Sequence, residues 1–172
     1  LVSDNDQHII GFGANTIGSA AQDPLLVRWS DQESAADWTP TATNTSGGVR
    51  VNSGSVIVGA VQTRQEILIW TDTSLHSMRF VGAPFVFQFT LVSADVSMIS
   101  PNSAVNARGN VFFMDKTGFY VYNGAVQKLP CSVQDYVFSG MNMTQAFKVF
   151  AAENNAFSEI IWFYPAGEGT PD

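Results

Sequence analysis

Residues able to do chemistry are few in this chain and thinly spread. There are two histidines, His8 and His76, one cysteine, Cys131, and five arginines, Arg28, Arg50, Arg64, Arg79 and Arg108. A metal centre needs three or four ligands at a recognisable spacing. His8 and His76 are far apart in sequence, and neither lies in a nucleophile or metal motif. A single thiol excludes an internal disulfide and a thiolate zinc cluster. A hydrolase needs a nucleophile with its base, or two facing carboxylates. A sialidase-type glycosidase would need several arginines converging on a substrate carboxylate, and here each arginine sits alone in the sequence. Gly11-Phe12-Gly13 begins like a dinucleotide fingerprint, but the third glycine is absent and no helical pattern follows, so a turn or bulge is the better reading. The sequence therefore offers no catalytic, cofactor-binding or metal-binding set, and reads as a non-enzyme.

Ser30-Asp31 with Trp38 downstream resembles the Asp box, a hairpin turn of β-propeller blades, without its middle glycine. In such a turn the Ser and Asp side chains bond nearby backbone N–H groups while the Trp packs underneath, which is a structural role. Trp29, Trp38, Trp70 and Trp162 would serve as sugar platforms if exposed and as core residues otherwise. Cys131, after Pro130, reads as a small buried apolar residue. Lys116 at a turn tip and Arg79 at a strand end are candidates for contacts between subunits.

The elements that would position these residues are strands. Asn110 to Gly124 organises the pattern: an apolar run at Val111–Met114, turn chemistry at Asp115–Gly118, a second run at Phe119–Tyr122, then the hairpin signal Asn123-Gly124. Glu66 to Phe80 follows the same plan, and aligning Thr73 with Thr117 sets the copies 44 residues apart. The run Glu159–Tyr164 repeats it again, 49 residues after Asn110. A period of about 40 to 50 residues in an all-strand chain points to propeller blades. Further strands are expected at His8–Phe12, Leu25–Trp29, Val56–Val61, Phe85–Val92, Val126–Leu129 and Ala146–Ala152. Phe85, Phe87 and Phe89 would share one face of a strand and fill a core. Thr39–Gly54 reads as a surface loop. Ser132–Phe138 has helical spacing, with Ser132 as its N-cap. The expected fold is all-β: an antiparallel, propeller-like single domain over residues 1–172, or part of one. The opening Leu1 and the polar run from Ala166 to Asp172 read as the ends of a fragment of a longer chain.

Composition narrows the function class. Apolar residues make up 45% and charged residues 13%, so few charges remain to cover the surface, which favours a subunit that buries area against neighbours. The net charge is −7, with acids crowding both ends, and no run of Lys or Arg could grip nucleic acid. An acidic surface would let DNA pass without sticking. No apolar run approaches the length of a membrane span, so no membrane partner is expected.

The blocks Arg28-Trp29-Ser30-Asp31 with Trp38-Thr39-Pro40, Ile67–Leu75, Val111–Tyr120 and Glu159–Pro165 resemble the tail nozzle proteins of short-tailed bacteriophages, also called tail tubular protein B or packaged-DNA stabilisation proteins. The likeness covers roughly residues 20–172. It implies a propeller-like β domain in a structural virion protein of the phage tail. It implies a homo-oligomeric ring, usually a hexamer, that continues the DNA ejection channel and closes it before infection. The implied partners are the adjacent tail adaptor or tubular protein, tail fibres or spikes, and DNA passing without sequence-specific binding. This chain is short for that family, so blades before Leu1 and after Asp172 would be missing. The alternative expectation is a carbohydrate-binding propeller, a lectin-like tail component or surface adhesin, and behind it a sialidase-type glycosidase.

Overall fold

The computed structural model describes residues 2–167; Leu1 and the tail from Glu168 to Asp172, with two of the terminal acids, lie outside the described residues. The chain is mostly β, built of antiparallel sheets. Three successive stretches each fold into a four-stranded meander. The first holds β1 (Val2–Ser3), β2 (Ile9–Phe12), β3 (Leu26–Trp29) and β4 (Gly47–Arg50). The second holds β5 (Ile57–Gln62), β6 (Ile67–Thr71), β7 (Ser74–Gly82) and β8 (Val86–Ala94). The third holds β9 (Ala104–Ala107), β10 (Asn110–Asp115), β11 (Gly118–Tyr122) and β12 (Val126–Lys128). A short helix, α1 (Gln134–Gly140), and a 3-10 segment, Met143–Lys148, lead to a final hairpin of β13 (Phe150–Asn154) and β14 (Glu159–Phe163).

The sheets pack face to face in chain order, and β6 explains how. All five of its residues are buried. In a strand, alternate side chains leave opposite faces, so a fully apolar strand can serve two cores. Ile67 and Ile69 pack with Ile10, Val27 and Trp29 of the first sheet. Leu68 and Trp70 pack with Val111 and Phe113 of the third. The 44-residue offset carries over to facing: Val111 and Phe113, the counterparts of Ile67 and Ile69, turn to the preceding sheet, while Met114, the counterpart of Trp70, turns to the following layer. There it meets Phe119, Met141, Val149 and Trp162. Full burial of a Val, Leu, Ile or Phe side chain contributes about 1.5–3 kcal/mol, so these inter-sheet cores dominate the stabilisation.

The first strands of the sheets also meet in series. β1 touches β5, β5 touches β9, and β9 touches β13. Polar bonds tie the same seam: Asn5 Nδ2 donates to the Arg64 carbonyl at 2.8 Å, Asn106 Nδ2 to the Gln62 carbonyl at 2.9 Å, and the Ala151 N–H to the Asn102 carbonyl at 2.8 Å.

Four expectations need correction. The stretch 39–54 is not all loop, because β4 pairs with β3 along Gly47–Arg50. Its two glycines hid it: they carry little strand propensity, yet the Trp29 ring lies where a Gly47 side chain would stand. Phe85 falls in the β7–β8 turn and is 77% exposed, so only Phe87 and Phe89 join the core. Val133, not Ser132, holds the N-cap position of α1, and no side chain caps it. Residues 146–148 belong to the 3-10 segment, so β13 starts at Phe150.

Candidate functional site

A buried carboxylate marks the cleft between the second and third sheets. Glu66 closes the β5–β6 turn, where Thr63 Oγ1 accepts from its N–H at 3.1 Å and donates to its carbonyl at 2.7 Å. It precedes Leu68 and Trp70 by the two-residue strand period, so its side chain leaves the sheet toward the third sheet. Ser77 and Arg79, two apart on β7, project from the same side. Ser77 Oγ donates to Glu66 Oε2, and Arg79 Nε donates to the same oxygen at 2.8 Å. From the third sheet, the Tyr122 hydroxyl at the end of β11 donates to Oε1 at 2.5 Å.

The electrostatics follow from these partners. Burial pushes the Glu66 carboxyl up, but the bonds from Arg79, Ser77 and Tyr122 outweigh it and hold the group below the ordinary carboxylate range. Burial, reinforced by the anionic Glu66, pushes the Tyr122 phenol up to about 12. Glu66 is thus an anion with its oxygens engaged, and Tyr122 a neutral donor. Neither is poised to exchange protons near neutral pH, and general acid–base catalysis needs such poise. The cluster clamps two sheets and fixes a guanidinium.

Open space lies on either side of the clamp. One lobe, of about 290 Å³, is lined by Arg64, Gln65, Asn123 and Gly124 beside Glu66, Arg79 and Tyr122. The other, of about 630 Å³, adds Gln88, Thr90 and Val126. Arg64 and Arg79, separate in sequence, therefore share one cleft. This corrects the reading that every arginine stands alone. The other three are dispersed. Arg50 pairs with Asp23 at 2.8 Å, Arg108 approaches Glu153 at 3.5 Å, and Arg28 bonds the Trp38 carbonyl at 2.6 Å while lying over its ring.

The Asp-box-like turn forms a second polar cluster. Ser30 Oγ accepts from the Ile9 N–H at 2.9 Å, and Asp31 Oδ1 accepts from both the N–H and the hydroxyl of Thr45 at 2.7 Å. These bonds hold the Asp31 carboxyl below its ordinary range. His8, fully buried, bridges Asp4 Oδ2 at 3.3 Å and Thr45 Oγ1 at 3.2 Å. The cluster ties β2 to the β3–β4 connection, and Thr45, whose hydroxyl already donates to Asp31, is no nucleophile. Trp38 is half-buried at the edge of this turn, its Nε1 on the Ala35 carbonyl at 2.9 Å.

The remaining candidates fall apart spatially. His76 does not point outward: it is buried in the second sheet and bonded to Ser74 Oγ at 3.0 Å, and burial pushes its imidazole down. Among the described residues no group of three or more His, Cys, Asp or Glu could hold a metal ion. Trp29 and Trp70 are core residues, and Trp162 packs on Phe119 and donates to the Ser103 carbonyl at 3.0 Å. Cys131 is half-buried against the third core, and Lys116 is exposed at its turn tip. No helix among the described residues is long and apolar enough to cross a membrane.

No protein-family model and no curated protein matches this chain.

The sequence reading missed the Glu66–Tyr122 pair. The signal available was small: Glu66 is charged where its 44-residue counterpart, Asn110, is neutral.

Proposed function

We propose that this chain is a structural subunit of the tail nozzle of a short-tailed bacteriophage, and that its sheets are blades of a β-propeller. The observation that carries the reading is the serial contact β1–β5–β9–β13. Meanders that pack on one another and meet along their first strands are what a blade reading requires, and this supports it. Three of the four sequence blocks that resemble nozzle proteins contain the second strands of the second sheet, the third sheet and the final hairpin, while the first block ends the third strand of the first sheet.

Assembly into a ring is supported by the surface around the final hairpin. Phe147, Phe157, Phe163 and Tyr136 are largely exposed, and Phe150 stacks on Phe163 at 4.6 Å in the open. Exposed aromatics at this density fit a protein–protein contact better than a solvated face. In this reading the ring sits against an adjacent tail adaptor, carries fibres or spikes and lets DNA through.

The test is the mass of the purified full-length protein by light scattering, alone and with the adjacent tail component. A ring in either condition supports the nozzle subunit. A monomer in both, together with absence of the protein from purified virions, overturns it. The carbohydrate-binding alternative draws little from the indoles, since three of the four pack in cores or on Phe119. What remains to it is the arginine cleft.

A further inference from the structure

We propose that the cleft between the second and third sheets binds a small carboxylated sugar, with Arg79 as the anchor for its carboxylate. The assignment is separate from ring assembly: a nozzle subunit and a free propeller could both carry it, and different measurements test the two.

Arg79 carries the first part of the case. A guanidinium has five N–H donors in a planar fork. Nε is committed to Glu66, and the neighbouring Tyr122 hydroxyl also meets the guanidinium. Among the described residues its terminal nitrogens have no carboxylate partner. Arg79 is 55% exposed at the cleft while Glu66 behind it is 6% exposed. The arrangement is a guanidinium held at Nε by Glu66 with more than half of its side chain open to the cleft, and a guanidinium so fixed suits carboxylate recognition.

Charge carries the second. The chain as a whole is acidic, yet among the described residues Glu66 is the only acid lining these two lobes, and it pairs with Arg79. Arg64, exposed on the β5–β6 turn, adds a second guanidinium to the same lobe and shares a neighbouring hollow with Asp4 and Asp6. An anion entering the lobes meets two guanidiniums and one buried, paired carboxylate.

The third part concerns the rest of the ligand. The side chains of Gln88, Thr90 and Asn123 line the two lobes, and none of them makes a hydrogen bond to another described residue. Amide and hydroxyl groups left free around a charged anchor suit a ligand rich in hydroxyls. The lobes are of the size that holds one or two sugar rings.

The test titrates the folded protein with sodium glucuronate, followed by 1H–15N spectra, with glucose, acetate and inorganic phosphate as comparison ligands. Saturable shifts centred on Arg64, Arg79 and Asn123, stronger for glucuronate than for all three comparisons, are expected. Arg79→Lys keeps the charge but loses the fork and should weaken binding by about tenfold, or about 1.4 kcal/mol. Arg64→Gln removes a side chain that makes no internal bond, so it should fold normally and weaken binding severalfold. An equal response to glucose, or to phosphate or acetate, overturns the assignment. So does the absence of saturable shifts in the unaltered protein, or glucuronate binding unchanged in Arg64→Gln.

Discussion

The Tyr122 hydroxyl donates to Glu66 Oε1 across the gap between two sheets, at 2.5 Å. The two residues lie 56 apart in sequence, so this bond belongs to the packing of one sheet on the next. Tyr122→Phe deletes the donor and leaves a buried anion short of one partner. The expected loss is about 1–3 kcal/mol, measured by urea denaturation. An unchanged midpoint would mean that water replaces the phenol at no cost.

The same pair sets an alkaline signature. A phenol whose folded pKa is raised contributes stability that is present below its unfolded value and lost as pH climbs through the folded one. Of the four tyrosines, one should ionise only near 12, read by ultraviolet difference absorption, and Tyr122→Phe should remove that step.

Acid should unfold the protein in two stages. His76 is pushed down by burial, so its neutral form stabilises the fold and that contribution fades once pH drops below the ordinary histidine value. Glu66, Asp31 and Asp72 are all held low by hydrogen bonds, so their contribution is complete above the ordinary carboxylate range and is lost below it. Stability measured against pH should show a shallow upper step that His76→Gln abolishes and a steeper lower one that survives. A single step unaffected by His76→Gln would contradict this division.

Gly47 is where the first sheet admits no side chain. A Cβ there would stand 2.6 Å from Cζ2 of Trp29. The indole cannot retreat, since its Nε1 bonds the Thr45 carbonyl at 2.8 Å and its face meets Phe87 at 5.0 Å. Gly47→Ala should cost about 1–3 kcal/mol and red-shift the tryptophan emission. A neutral result would show that β4 can slide away freely.

The exposed aromatics near the final hairpin bear on assembly. Phe157→Ser with Phe147→Ser should leave the fold intact, because both side chains are largely in solvent. It should lower the mass of any ring seen by light scattering. An undiminished ring would move the contact elsewhere.

Much of the architecture was legible because the sequence repeats itself. The apolar runs at Ile67, Val111 and Ile160 are second strands, and their spacing pointed to repeated antiparallel strand units. What stayed hidden was whatever depends on a partner distant in sequence. β4 is a strand only because β3 offers it hydrogen bonds and Trp29 a surface. Phe85 obeyed the strand alternation yet fell in a turn, since period alone does not fix where a hairpin bends. Glu66 entered the sequence pattern only as the start of the repeated stretch, and only the stacking of Tyr122 above it made it a clamp. Arg64 and Arg79 share the cleft because the pairing of β6 with β7 brings the β5–β6 turn beside Arg79.

Each four-stranded meander pairs strands that are neighbours in the chain, and the first strands meet from each sheet to the next. In the second and third sheets pairing needs only short loops to close, and short loops cost little entropy and close fast. The sheets can form one after another as the chain lengthens, with the inter-sheet bonds made last. A weakened Glu66–Tyr122 clamp should then leave the refolding rate nearly unchanged and appear almost wholly as faster unfolding.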